Sequence, residues 1–218
     1  MHRKEAEEHL RVIRSLMEKA TIYRAISAPT ALFGALASLV CAAFFEWQWL
    51  PTVRPPGDEL IASRELHFVI GWLAVLSVTG FANAVFLWRD AKRRGDQFLS
   101  SGMKHALLAM FPPMLCGAGL TVCLLVPAQT YWLPPLWMLC YGLALLATRA
   151  FAPRSIQILG WTFLVAGFIA LWLLAWHAAF GSGMHIRTSN LEMAATFGIF
   201  HLIYAACTWP RGAAKTNA

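Results

Sequence analysis

Six stretches of this chain are long and apolar enough to cross a hydrocarbon core, and no motif constrains the fold as tightly. They cover residues 25–45, 68–88, 106–127, 131–148, 156–176 and 191–209. About 20 helical residues span such a core. The single Asp, Glu, Lys or Arg inside these stretches is Glu192, one position from an end. An unpaired peptide group in lipid costs several kcal/mol, so each stretch must pair its own backbone as a helix. Helices of a water-soluble bundle would need charged faces, and these have none. Composition agrees: 13% of residues are charged and 58% hydrophobic, where a soluble domain carries roughly 25% charged. A water-soluble enzyme, a disordered chain and a secreted disulfide scaffold are thereby excluded. The expected fold is all-α, a bundle of six transmembrane helices.

Lys and Arg set the expected orientation. With the N-terminus inside, fifteen of the 18 basic residues fall on the cytoplasmic side, leaving Arg54, Arg64 and Arg187 opposite. The positive-inside rule then predicts both termini in the cytoplasm, with 210–218 as a cytoplasmic tail. An even number of crossings requires the same. The formal net charge of +7 is therefore a membrane signal, and nucleic acid is not an expected partner. Arg89, Lys92, Arg93, Arg94 and Lys104 gather in one predicted loop, where each basic residue near an anionic leaflet is worth about 1 kcal/mol. That loop either grips a lipid headgroup or only determines topology.

Residues 1–24 carry both signs of charge, unlike a cleavable signal peptide, and read as an amphipathic helix. Leu10, Ile13, Met17 and Ala20 form its apolar stripe, and Glu7–Arg11 and Arg14–Glu18 are opposite-charge pairs four residues apart. Such a helix either lies on the inner membrane surface or docks a protein partner through residues 2–24. Pro112-Pro113 and Pro134-Pro135, each followed closely by Leu and Cys, hint at an inverted three-helix repeat, a transporter trait. The five cysteines lie inside spans with no CxxC spacing, as packing residues do. The segments 133–160 and 197–210 resemble a family of bacterial six-span membrane proteins without an assigned activity. The resemblance implies a multi-pass protein of the bacterial inner membrane and transfers no site residue.

A strongly polar residue within a span is expensive, hence a functional candidate. His201 lies near the middle of the sixth span, with Tyr204 and Thr208 close to its face. Tyr141 in span four and Asn83 in span two fall at comparable depth, so the five outline a midplane pocket. The alternative for them is interhelical hydrogen bonding. On the outer side, His67, His177, His185 and Glu192 could ligate zinc or copper, and paired histidines could ligate haem. No HxxxH, HExxH or CxxC spacing fixes such a geometry, and no cofactor is favoured. Paired carboxylates and protease motifs are absent from the spans, so an enzyme is not expected. The readings that remain are a transporter or channel-like protein for a small solute, a sensor or accessory subunit acting through its N-terminal helix, and a metal- or haem-dependent redox protein. A homo-oligomer is compatible with each.

Overall fold

The computed structural model describes residues 7–13, 28–48, 58–95, 101–127, 129–150, 152–180 and 186–209, and these are helical with short turns. Residues 7–13 form α1. The rest of the segment expected to be amphipathic, and the tail 210–218, lie outside the described residues. There follow α2 (Ala28–Gln48), α3 (Asp58–Arg94), α4 (Ser101–Leu125), a 3₁₀ turn (Thr130–Trp132), α5 (Leu133–Ala147) and α6 (Arg154–Phe180). The last crossing is built in three pieces: α7 (Ile186–Met193), a π-helical stretch (Ala194–Phe200) and α8 (His201–Thr208). Among the described residues, six helices are long and apolar enough to cross a membrane. This architecture is compatible with an integral membrane protein.

Three boundaries differ from expectation for identifiable reasons. Helix α3 has 37 residues, so at 1.5 Å per residue it is about 55 Å long and outreaches a hydrocarbon core of about 30 Å. Its start at Asp58 accords with the N-cap signal that Gly57-Asp58 gives in the sequence, whereas its basic end runs on past residue 88 because nothing there breaks it until Gly95. Gly95 takes a φ of 72°, the left-handed conformation that ends helices. Arg89, Lys92, Arg93 and Arg94 therefore sit on the final turns of α3, and Lys104 in the first turn of α4, rather than in a loop. The two Pro-Pro pairs are not equivalent either. Pro112 and Pro113 lie inside an unbroken α4, while Pro134 and Pro135 open α5, where proline costs least. That removes one mark of an internal repeat. The sixth span, finally, is not one regular α-helix.

Glycines set the tightest packing. A Cβ on Gly142 of α5 would lie 2.8 Å from the Gly160 carbonyl oxygen of α6, so side chains there would force the backbones apart. Gly198 seats against Leu39 of α2 in the same way. One apolar cluster gathers Ala31, Met138, Leu145, Ile156, Phe163 and Tyr204. A second gathers Ala42, Phe45, Phe68, Trp72, Leu133 and Met193. Near the second, fully buried Asn190 donates from Nδ2 to the Ala42 carbonyl (3.1 Å) and to Glu46 Oε1 (3.2 Å), tying α7 to α2. The outward faces are apolar as well: Val40, Phe81, Leu108 and Trp172 are 62–73% exposed. Apolar surface so extensive calls for lipid around it.

Helix α3 packs on α2, and α4 packs on α5, yet among the described residues the backbones of α3 and α4 scarcely approach each other. The bundle is open along that seam.

Candidate functional site

The seam leads into a cavity of about 440 Å³, bounded by α3 and α4 on one side and by α2, α5 and α8 on the other. Its volume falls in the range of about 300–1,000 Å³ typical of small-molecule sites. The wall is predominantly apolar, and none of its described lining residues is Asp, Glu, Lys or Arg. His201, Tyr204, Tyr141 and Asn83 all line it. Thr208 does not: it lies nearly two turns beyond His201, and its hydroxyl donates to the Tyr204 carbonyl of its own helix (2.7 Å). The pocket outlined in the sequence thus contains four of its five residues, in a less polar setting than expected.

Local structure explains the placement of His201. It follows directly on the π-helical stretch, in which wider i→i+5 turns replace the α pattern; such turns concentrate at functional sites. His201 Nδ1 lies 3.1 Å from the Phe197 carbonyl oxygen. A carbonyl has no proton to give, so Nδ1 is the donor. In the neutral imidazole Nε2 must then accept, and Tyr141 Oη, 2.9 Å away, donates to it. One tautomer is thereby selected. Aromatic rings hold the pair in place: Phe163 contacts Tyr141 edge-on at 4.8 Å, and Phe197 stacks on His201 at 6.2 Å.

Inter-helix contacts give the level of this pair. A Cβ on Gly34 would touch the Thr79 methyl at 2.8 Å, and Gly71 abuts Phe45, so α2 and α3 run antiparallel. With Gly198 against Leu39 and Ala35, the residue three positions on, His201, comes level with Gly34 and hence with Thr79. Asn83 lies one turn further toward the basic end of α3. Here the structure adds Trp72 and Thr79, which the sequence did not single out, to Asn83. Trp72 Nε1, Thr79 Oγ1 and Asn83 Oδ1 are buried without a hydrogen-bond partner, and all three side chains line the cavity. Steps of seven and four residues put them on one stripe of α3. That spacing is the signal that could have identified them.

The other candidates stand apart from the cavity. His67 is exposed, and its Nδ1 donates to the Ser63 carbonyl of its own helix (2.6 Å). His177 is on the last turn of α6 and Glu192 is half-buried on α7, while His185 lies outside the described residues. Among the described residues, no three His, Cys, Asp or Glu converge on a point where a metal could sit. Arg89, Lys92, Arg93 and Lys104 are exposed at one end of the bundle, and Lys92 Nζ sits 5.4 Å from the Trp88 ring centroid. This is a cation–π pair of the kind that suits an interface. The Arg94 side chain is outside the described residues. No known protein family, curated protein or solved structure matches this chain.

Proposed function

We propose that this chain is a multi-pass protein that takes a small solute into its cavity and passes it across the bilayer. The observation that carries the reading is the cavity itself, with an oriented Tyr141–His201 pair and unpartnered polar atoms on its wall. A last span whose α pattern widens to π turns beside that pair also supports it, since such turns concentrate at functional sites. The proposal includes a bacterial inner membrane, both termini in the cytoplasm, and no catalytic chemistry.

Gly80 offers the test. It lines the cavity, and a Cβ built there meets nothing within 4 Å. Gly80→Phe should fill part of the cavity and, on a helix, improve local propensity. Native mass spectrometry of the wild-type protein taken from membranes should detect a bound small molecule, and Gly80→Phe should lose it. Proteoliposomes should then exchange that molecule with wild-type protein and not with the variant. Equal occupancy and exchange in both forms would refute the reading.

A second reading, a sensor or accessory subunit, is favoured by α1. Leu10, Val12 and Ile13 are 65%, 52% and 52% exposed there, an apolar surface suited to a partner.

A further inference from the structure

We propose that the seam between α3 and α4 admits an uncharged, lipid-soluble amphiphile with a hydroxyl headgroup. Its hydroxyl is held at the level of Thr79, Asn83 and Tyr141, and its hydrocarbon lies along α4. The inference rests on the cavity being a binding site and names the chemical class that this site takes.

Charge is decided by the wall. With no Asp, Glu, Lys or Arg among the described lining residues, and with His201 held as a neutral acceptor from Tyr141, a phosphate, carboxylate or ammonium headgroup would be stripped of water and left unpaired, which is costly at this depth. The ligand is therefore neutral. Its polarity follows from the unpartnered atoms. Asn83 Oδ1 is an acceptor, and the Thr79 hydroxyl can give or take a proton. Tyr141 commits its proton to His201, so its oxygen retains lone pairs that only accept. Asn83 Nδ2 and the Thr79 hydroxyl can donate at this level, while the unpartnered Asn83 Oδ1 and the Tyr141 oxygen call for a ligand group that donates. A hydroxyl does so while accepting from Thr79 in return.

Length and access decide the remainder. The cavity wall runs from Trp72 to Leu87 on α3 and from Met103 to Thr121 on α4, about 22 Å and 27 Å at 1.5 Å per residue. That is most of the roughly 30 Å hydrocarbon thickness, enough for an extended chain. Met103, Met110 and Met114, at steps of seven and four, line the α4 wall. Their unbranched, polarisable side chains fit to a flexible tail without a fixed shape. Because the backbones of α3 and α4 scarcely approach each other among the described residues, the way in lies within the hydrocarbon layer, where such a molecule already partitions.

The test uses three photoreactive diazirine probes on the full-length protein in nanodiscs: hexadecanol, its methyl ether and the parent hydrocarbon. The alcohol should label Met110 or Met114 and be displaced by plain hexadecanol. The ether, which cannot donate, should label about tenfold less at equal concentration. The double variant Thr79→Val, Asn83→Leu should reduce alcohol labelling to the level of the ether and leave the ether unchanged, with the melting temperature unaltered or raised. Equal labelling by alcohol and ether, or an unchanged preference in the double variant, overturns the hydroxyl inference while the cavity stands as a binding site. Failure of all three probes to label the cavity overturns the inference and also removes the support for the proposed carrier function. Cross-links between two copies across the seam would show that a second chain fills it, and would overturn the inference as well.

Discussion

The Tyr141–His201 hydrogen bond can be measured by a double-mutant cycle. Tyr141→Phe removes the donor hydroxyl and leaves His201 Nε2 without its partner. Interhelical hydrogen bonds in membrane proteins average about 0.6 kcal/mol and reach about 1.7, and orphaning a buried acceptor adds to the loss, so about 1 kcal/mol is expected. His201→Phe removes two bonds, including the one to the Phe197 carbonyl. The ring contacts with Phe163 and Phe197 survive the change. Its expected cost is about 1–2 kcal/mol. In the double variant neither partner is stranded, so its cost should fall short of the sum of the singles by roughly 0.6–1.7 kcal/mol. Equilibrium unfolding in mixed micelles at rising SDS fraction, followed by the fluorescence of the 10 tryptophans, reads all four proteins on one scale. Additivity within about 0.3–0.5 kcal/mol would refute the bond between Tyr141 and His201.

Three further outcomes are expected. Gly142→Val should destabilise the α5–α6 pair by about 1–3 kcal/mol or prevent assembly, because its Cβ meets the Gly160 carbonyl, whereas Gly119→Ala, with open space around it, should be neutral or stabilising by up to about 1 kcal/mol in the same assay. Cysteine-labelling at Asp58, Gln129 and Ser182 should report one side of the membrane and at Gly95 and Ala218 the other; a single position on the wrong side breaks the six-span threading. Deleting residues 2–22 should leave solute exchange in proteoliposomes intact, and loss of exchange with the bundle still folded would favour the partner-docking reading.

The spans could be read from sequence because hydrocarbon thickness imposes one length and one polarity on every crossing. Tyr141, Asn83 and His201 stood out for a related reason: polar groups are rare where they cost most. Thr208 looked similar and was not, since a threonine hydroxyl can be satisfied by the carbonyl four residues back. Thr79 and Trp72 were passed over because each is an ordinary residue singly, and only their shared stripe with Asn83 sets them apart. The reach of α3 at its C-terminal end was obscured by its basic residues, which read as loop by hydropathy although nothing among them stops a helix before Gly95. The π-helical stretch left no mark in residue type. Within it Gly198 seats on Leu39, a contact between residues 159 positions apart in the chain.

That stretch makes the bearing of His201 a matter of residue count. A π turn holds about one residue more than an α turn, so relaxing Ala194–Phe200 to α geometry at unchanged length would turn everything after it by about 100°, one residue's advance along an α-helix. Tyr204 and His201 would swing off the cavity wall together, with no side chain of the cavity altered. Deleting one residue from the stretch would instead let it close to α geometry with that bearing kept, so the shortened span should still hold His201 against Tyr141.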